Sequence, residues 1–464
     1  MTTMTEPMPE TRGIPHDPPL NGAERAALRS FRRAALTSRG YRAHLERTGV
    51  DHRLVTRISQ VPYTDKRTVF DGGIETWLEG GRVADAAELL TSSGATGFFS
   101  VGVTSRAERR AQERTLDLII RSLGGGEDSS TLVLNCLPMG ISVPTRLATV
   151  ATPSVHLEMA TELLARAGDA FDRVVIAAEP LFLKELGENA LRLQGPDFAR
   201  RVAACFIGGE WIAESFRRYV SELFGFGDGD DGRLGLMVSM GAAEVGLHVL
   251  HETPELRRAR RVLDSADLRR ALFDRDPGYS PTLLAWDPNR FFVERRRHDD
   301  GTGSLVVTAL TRRLLPLVRY DLDDEADVIG PDLANRLLAD AGSDVRLDRP
   351  AIALWGRRGA AVSGPDWSLR PEIVKEGLFT TAAHAGALTG RFRIAAEGGL
   401  PALHVQLRDG AVPTPGMENA LALMTRVVSG APDARVTIHG YREYPFHEAG
   451  DFQHKPAYVA RVAR

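Results

Sequence analysis

The middle of the chain alternates short apolar runs with amphipathic helical segments, and this alternation restricts the fold more than any other feature of the sequence. Four apolar runs of strand length occupy residues 131–137, 173–178, 202–207 and 234–239. Between the third and fourth runs, apolar residues fall on one face of a predicted helix, namely Ile212, Phe216, Val220 and Leu223. Continuous apolar strands separated by helices are typical of largely parallel sheets that are covered on both faces. We therefore expect an α/β fold.

The pattern changes after Trp355, where a turn-rich stretch precedes a different order of elements. Two alternating strands, a helix and a further strand are predicted at residues 389–395, 402–408, 416–430 and 434–441. These elements predict a small C-terminal α+β domain. The expected organisation is a flexible, proline-rich arm over residues 1–21, a large N-terminal domain over residues 22–355, and the small domain over residues 356–464.

Composition excludes several classes of partner. The 58 basic residues nearly balance the 61 acidic ones among 464 residues, so there is no strong field to hold nucleic acid or an anionic membrane. No apolar stretch approaches the roughly 20 residues needed to span a bilayer, and the N-terminus lacks the apolar core of a signal peptide. We expect a cytoplasmic protein in which Cys136 and Cys205, each inside an apolar run, are buried and reduced.

A run of small hydroxylated residues and glycines at residues 91–97 is a candidate phosphate-binding loop. Such residues let the backbone wrap phosphate oxygens and supply amide and hydroxyl donors. The run lacks the Lys-Ser/Thr pair of a Walker loop, and taken alone it is more typical of a flexible turn. The candidate ligand-binding residues in it are Ser92, Ser93, Gly94, Thr96 and Gly97.

Four further segments follow in order along the chain. They are Gly208-Gly209-Glu210, Gly241-Ala242-Ala243-Glu244, residues 316–320 with Asp323-Asp324, and Gly356-Arg357. Together with the loop, they resemble the ordered signatures of adenylate-forming enzymes. The chain is most similar to the phenylacetate–CoA ligase branch, with its capsular-polysaccharide-type and coenzyme-F-synthetase-like relatives. Other stretches with counterparts there, such as residues 61–70 and 444–459, extend the resemblance over about residues 30–460.

The resemblance implies a role for each segment. The loop and Gly208, Gly209, Glu210 and Gly241 would border the nucleotide, with the glycines on the adenine side. Asp324 would hold the ribose, and Glu244 would contact Mg²⁺. Arg357, in the hinge segment, would reach the nucleotide, and Lys455 would approach the acyl phosphate as a second cationic group. Glu244, Arg357 and Lys455 are thus the candidate catalytic residues.

The resemblance also implies the reaction and its partners. A large multi-sheet α/β domain would bind ATP and a small carboxylic acid, and the C-terminal domain would act as a mobile cap. The acid would become an acyl-adenylate, and its acyl group would pass to the thiol of CoA, to a carrier protein or to an amine. The acceptor stays open at this point, as does a homodimer, a state found among relatives.

Several positions depart from the family pattern. Phe98-Phe99 replaces the usual Lys-Pro after the loop, Met240 replaces a tyrosine that stacks on adenine, and Ala243 replaces a hydroxylated residue. These changes leave two alternatives to the ligase: a catalytically silent binding protein, and an amide- or ester-forming enzyme that does not use ATP. The pair His248 and His251 superficially resembles a zinc motif, but the sequence offers no third ligand for it.

Overall fold

The computed structural model describes residues 21–92, 99–126, 128–227, 233–312, 314–446 and 450–459. The helices of these residues, in chain order, are α1 Gly22–Thr37, α2 Arg39–Arg47, α3 Lys66–Phe70, α4 Arg106–Ser122, α5 Leu157–Ala167, α6 Pro180–Gln194, α7 Glu214–Leu223, α8 Pro254–Val262, α9 Ala266–Phe273, α10 Pro331–Asp340, α11 Pro371–Leu378, α12 Ala382–Ala387 and α13 Met417–Ser429. The strands are β1 Ala86–Thr91, β2 Val101–Ser105, β3 Thr131–Cys136, β4 Thr149–Ala151, β5 Arg173–Ala178, β6 Val202–Ile207, β7 Gly235–Ala242, β8 Gly246–His251, β9 Thr282–Trp286, β10 Phe291–Arg297, β11 Gly303–Ala309, β12 Tyr320–Ile329, β13 Ala351–Arg357, β14 Val362–Ser363, β15 Ser368–Leu369, β16 Leu388–Glu397, β17 Leu400–Leu407 and β18 Arg435–His439.

A single large sheet runs through the protein, with the described strands in the order β10-β11-β12-β13-β9-β8-β7-β6-β5-β3-β4. Its second half, from β7 to β4, is parallel, and it consists of the predicted apolar strands and the short β4. Its first half, from β10 to β8, is antiparallel. The α/β class is confirmed. The expectation of largely parallel pairing holds for the second half only.

Both faces of the parallel half are covered, which explains why its strands are apolar throughout. Leu134 and Ile176 belong to the main core, whereas Val133 and Val175, which point to the opposite face, belong to a second cluster with Ala204. Helices α5, α6 and α7 pack against one another along the sheet. The parallel strands end at one edge, and the segments that follow them are therefore brought together there.

The predicted C-terminal strands and helix form a separate small sheet, in the order β16-β17-β18, with α13 packed on β17 and β18. This confirms the small α+β unit. It contacts the large sheet's helices: the Lys184 ammonium on α6 donates to the Leu388 carbonyl at 2.7 Å. A boundary at residue 356 stays a prediction, because Gly356 and Arg357 still belong to β13 of the large sheet.

Residues 59–64 are attached to the start of β12 by the buried side chain of Arg319. Its guanidinium donates to the Val61 carbonyl at 2.6 Å and to the Tyr63 hydroxyl at 2.7 Å, and it forms an ion pair with Glu294 at 3.1 Å. The backbone of Thr64 also forms hydrogen bonds with the backbones of Arg319 and Asp321, on either side of Tyr320. Helix α3 therefore begins beside β12, next to the ends of the central strands.

Both cysteines are buried and free, as expected, and burial raises the pKa of each thiol. Within the described residues, no helix combines the length and apolarity that crossing a membrane requires.

Candidate functional site

Glu244 lies just beyond the carboxyl end of β7 and is buried. The Tyr320 hydroxyl donates to its Oε1 at 2.8 Å, and the Ser100 hydroxyl donates to its Oε2 at 2.7 Å. Arg312 donates to its backbone carbonyl. Among the residues that the structure describes, no basic side chain forms an ion pair with this carboxylate. The two neutral hydroxyl groups thus orient the buried carboxylate without supplying a positive charge. A carboxylate in this arrangement is suited to bind a cation.

Asp324 and Arg357 face each other across β12 and β13. They are strand partners, and Nε of Arg357 lies 3.2 Å from Oδ1 of Asp324. The Asp324 carboxylate raises the pKa of Arg357, whereas burial raises the pKa of Asp324 in spite of that arginine. The two residues that the sequence assigns separately to the nucleotide therefore also contact each other.

Lys455 brings the C-terminal segment to the predicted adenine-side turn. Its Nζ donates to the Gly209 carbonyl at 2.6 Å, and Gly209 has φ +103°, a conformation that favours glycine. Loss of hydration around the amine and then the charge of Arg357 lower the pKa of Lys455, although the residue as a whole is exposed, and Glu210 and Asp324 oppose that shift. Lys455, Arg357 and Asp324 hence share one electrostatic environment.

Glu210 is occupied by partners from the C-terminal part of the chain. Lys375 on α11 donates to its Oε2, and the Tyr458 hydroxyl donates to its Oε1 at 3.2 Å. The sequence assigns Glu210 to the nucleotide. In the structure, its carboxylate holds α11 and the C-terminal segment against the end of β6.

The base of the predicted phosphate loop is closed by Ser92 and Ser100. The Ser92 amide donates to the Ser100 carbonyl at 3.0 Å, and the Ser100 amide donates to the Ser92 hydroxyl at 3.0 Å. Ser93, Gly94, Thr96 and Gly97, also predicted to bind phosphate, lie outside the described residues.

Lys66, at the first position of α3, donates to the Ser92 hydroxyl at 2.9 Å. Burial lowers its pKa, the Glu244 carboxylate opposes that shift, and Arg357 adds to it. Lys66 therefore supplies a cation beside Ser92, at the base of the predicted loop. The sequence interpretation assigned Lys66 no role.

Lysine scarcity is the signal that points to Lys66. The chain has four lysines among 58 basic residues, leaving 54 arginines. All four amines make specific contacts. Lys66 donates to Ser92, and Lys184 donates to Glu188, four residues away, and to the Leu388 carbonyl. Lys375 and Lys455 each donate to a group more than 160 residues away in sequence. In so arginine-rich a chain, each lysine is a candidate for a position that requires a primary amine.

The glycines at two strand ends have a packing reason as well as a predicted nucleotide role. A Cβ on Gly208 would lie 2.3 Å from the Ser239 carbonyl oxygen, and one on Gly241 would lie 2.7 Å from the Gly246 carbonyl oxygen. Any side chain would push the neighbouring backbone aside. Their presence alone therefore does not distinguish a nucleotide site from close strand packing.

The residues present suit a magnesium–polyphosphate group. Three cationic side chains, Lys66, Arg357 and Lys455, belong to the same cluster as the unpaired Glu244 carboxylate. In the described ranges, there is no group of three or more His, Cys, Asp and Glu residues that could hold a metal by itself. This donor set fits Mg²⁺, which commonly takes one or two carboxylates and fills its other positions with phosphate oxygens and water.

Comparisons with solved structures identify the fold. No family model and no curated protein sequence matches the chain. A 2-hydroxyisobutyryl-CoA ligase in the postadenylation state, in complex with R3-HIB-AMP, superposes with a TM-score of 0.66 at 13% identity, covering 94% of this chain and 88% of that one. The chain has the fold of an adenylate-forming ligase. An anthranilate CoA ligase, AuaEII, in complex with anthranoyl-AMP, gives 0.50 at 12% identity over 80% of this chain and 66% of that one.

The same 2-hydroxyisobutyryl-CoA ligase gives a TM-score of 0.52 in an open conformation and 0.51 in the thioesterification state. The finer resemblance to the phenylacetate–CoA ligase branch stays a prediction.

Proposed function

We propose that the chain activates a small carboxylic acid with ATP to form an acyl-adenylate. The acyl group then passes to a thiol, of CoA or of a carrier protein, or to an amine. The observation that carries the proposal is the unpaired, buried Glu244 carboxylate in one cluster with three cations. This combination of charges suits magnesium-bound phosphates, and the fold is shared with ligases solved with acyl-adenylates.

In the first step, an oxygen of the substrate carboxylate attacks the α-phosphorus of ATP. The bond from that phosphorus to the bridging oxygen breaks, and pyrophosphate leaves with the electron pair. Mg²⁺, held by Glu244, would neutralise charge on the phosphates. Lys455 would stabilise the charge that develops on the α-phosphate, and Lys66 with Ser92 would face the leaving group.

In the second step, a thiol or an amine attacks the acyl carbon, loses its proton, and displaces AMP. In the present arrangement Lys455 rests on Gly209 and Glu210 binds Lys375, so the C-terminal part covers the strand ends. We propose that residues 356–464 move away from this position before the acceptor enters.

A second candidate is a binding protein, or an enzyme of other chemistry, that does not use ATP. Phe99, which follows the loop, exposes 67% of its surface, and Met240 stands on β7 at the position of the family's adenine-stacking tyrosine. Neither residue contributes a charge or a hydroxyl group to a nucleotide. This candidate predicts ligand binding that is independent of ATP.

Calorimetric titration with ATP, with and without Mg²⁺, distinguishes the two candidates. The ligase predicts Mg²⁺-dependent binding that Glu244→Ala and Asp324→Ala both weaken, while Asp332→Ala, an exposed change on α10, leaves it unchanged. An exchange assay between ATP and labelled pyrophosphate then screens carboxylic acids. Absence of ATP binding at millimolar concentration would contradict the proposal and favour the second candidate.

A further inference from the structure

One face of the sheet stays open at the carboxyl ends of the central strands. Ala177 pairs with Phe206, and Phe206 pairs with Met237. Ser239 lies two residues beyond Met237, and it therefore points to the same face. Ala177, Phe206 and Ser239 are each half-exposed, whereas most of β5 and β6 is buried. This open floor lies on the face where the second cluster packs, at the end of β7, five residues before Glu244 in the chain.

The wall of this open face is polar. The Ser239 hydroxyl forms a 3.0 Å hydrogen bond with Nδ1 of His248, and the rings of His248 and His251 stack with centroids 4.8 Å apart. His251 is also the strand partner of Ser239. His248 has φ +58°, an uncommon conformation that holds its ring beside Ser239. Both imidazoles are half-exposed, so a ligand can reach them.

The imidazoles are neutral at ordinary pH. Burial, then the charges of His251 and Arg290, lower the pKa of His248 to about 3. Burial and then Arg290 also lower the pKa of His251. When the Ser239 hydroxyl donates to Nδ1 of His248, the Nε2–H group is left to donate to a ligand. The histidines thus supply hydrogen bonds, and the positive charge in the cluster comes from Arg290.

Arg290 lies in the turn between β9 and β10, and none of the described residues accepts a hydrogen bond from its guanidinium. Across the described chain, the guanidinium makes no hydrogen bond and no ion pair, although it lies over the Phe291 ring at 5.2 Å. Burial lowers its pKa and Asp287 opposes that shift. The neighbouring Arg312 differs, because it donates to two backbone carbonyls and lies 3.8 Å from Glu108.

A half-buried guanidinium without an acceptor is a ready site for an anion. Part of its hydration is already lost, and a carboxylate restores the missing hydrogen bonds in a two-point geometry. One guanidinium beside neutral imidazoles balances one negative charge, which favours a carboxylate over a doubly charged phosphate. Because no described residue supplies that acceptor, Arg290 indicates the chemistry of a ligand.

We propose that Ser239, His248, His251 and Arg290 bind a second carboxylate of the acid substrate, so that the substrate is a short dicarboxylic acid. The inference rests on the proposed function, in which the first carboxylate reacts beside Glu244. Glu244 lies in the turn between β7 and β8, and His248 follows it by four residues, on β8. Because the two ends of the substrate would lie beside residues so close in the chain, we expect a short carbon chain between the two carboxylates.

Matched pairs of acids test the proposal on the full-length chain with Mg²⁺ and ATP. The pairs are butanoate and succinate, pentanoate and glutarate, and benzoate and isophthalate, and kcat/KM is measured by pyrophosphate exchange. We expect at least one dicarboxylate to exceed its monocarboxylate at least about tenfold. Arg290→Gln should remove that preference, chiefly through KM, and Arg290→Lys should retain part of it. Arg336→Gln, an exposed change on α10, should leave it unchanged.

A separate binding measurement distinguishes failure of this site from failure of the proposed function. Calorimetry follows the same acids without ATP, on the wild type and on the Arg290 variants. Exchange with equal use of both members of every pair would overturn the dicarboxylate site and leave the ligase in place. Arg290-dependent binding of a dicarboxylate without exchange would support the site and contradict the ligase. If Arg290→Gln does not fold, the wild-type comparison of pairs decides alone.

Discussion

The ammonium of Lys455 donates a 2.6 Å hydrogen bond to the carbonyl of Gly209, 246 residues earlier in the chain. This contact joins the C-terminal segment to the turn after β6, beside Glu210. Because Lys375 and Tyr458 bind Glu210 at the same place, the covering of the strand ends depends on two anchors. The arrangement places a cation where the first step of the proposed reaction would need one.

Replacing Lys455 by Gln should slow acyl-adenylate formation about 10²- to 10³-fold, the range seen when one charge-stabilising donor is removed. Single-turnover formation of the adenylate measures this step. Transfer from a preformed acyl-adenylate to the acceptor should change much less. Arg442→Gln, an exposed change in the same part of the chain, provides the control. Equal slowing of both steps would argue for a structural role of Lys455.

Replacing Lys66 by Gln should raise the KM for ATP about tenfold or more, because a charged hydrogen-bonding group beside the loop is lost. Steady-state exchange at varied ATP gives the value. The adjacent, exposed Arg67 provides the control as Arg67→Gln. An unchanged KM in Lys66→Gln would show that the phosphates do not approach Ser92 from the side of α3.

Asp324 and Arg357 should be energetically coupled in ATP binding, since they share a 3.2 Å ion pair. Asp324→Asn and Arg357→Gln should each weaken ATP binding about tenfold. The double variant should lose less ATP affinity than the product of the two single-variant losses predicts. Calorimetry on the four proteins of this cycle measures the coupling. Strict additivity would indicate that the pair does not act as a unit.

The buried Glu179 should make stability fall as the pH rises. Burial and then the charge of Glu210 raise its pKa from 4.5 to about 7, although Arg391 and Lys375 oppose the shift. The folded protein therefore keeps a proton that the unfolded chain releases above pH 4.5. The associated stability is complete below that pH and is lost as the pH passes about 7, by about 3 kcal/mol at most.

Urea unfolding at about pH 5 and about pH 8 measures this dependence. Glu179→Gln should reduce the fall in unfolding free energy between the two pH values, and the exposed change Glu222→Gln on α7 should not. Identical pH dependence in the wild type and in Glu179→Gln would show that Glu179 ionises normally in the folded protein.

Arg319→Met should lower the free energy of unfolding by about 3–5 kcal/mol, because the half-buried Glu294 loses its partner. Arg297→Met, at the exposed end of β10, should change it by less than about 0.5 kcal/mol. Chemical denaturation gives both values. Combining Arg319→Met with Glu294→Gln should recover part of the lost free energy of unfolding. If it does not, the loss comes from the hydrogen bonds of Arg319 to the backbone carbonyls and not from the unpaired Glu294.

The parallel strands were predictable because both of their faces are buried, which makes them continuously apolar. Strand β10 illustrates why the antiparallel half was harder: its sequence is FFVERRR, and its charged residues are half-buried or, at Arg297, exposed. The arginine-rich run thus forms a strand through pairing with β11. Local sequence gives little sign of that pairing, which depends on a partner strand.

The order of segments along the chain predicts one site for Glu244, Asp324, Arg357 and Lys455, and their side chains do lie in one cluster of charges, while their roles stay predictions. Lys66 and Ser100 were not identified, because their proximity to Ser92 and Glu244 arises from contacts between distant segments. Arg290 had no motif around it. Its significance comes from a missing partner, which only three-dimensional structure reveals.

The attachment of residues 59–64 to Arg319 has a consequence for biosynthesis. Tyr63 and Arg319 are 256 residues apart, and a ribosome adding about 5–20 residues per second needs roughly 10–50 s to make that interval. During this time, helix α3 lacks its contact with β12, because β12 has not yet been synthesised. The apolar face of helix α1, which packs on β10 and β11, likewise has no partner until those strands are made, so the nascent chain exposes that face for tens of seconds.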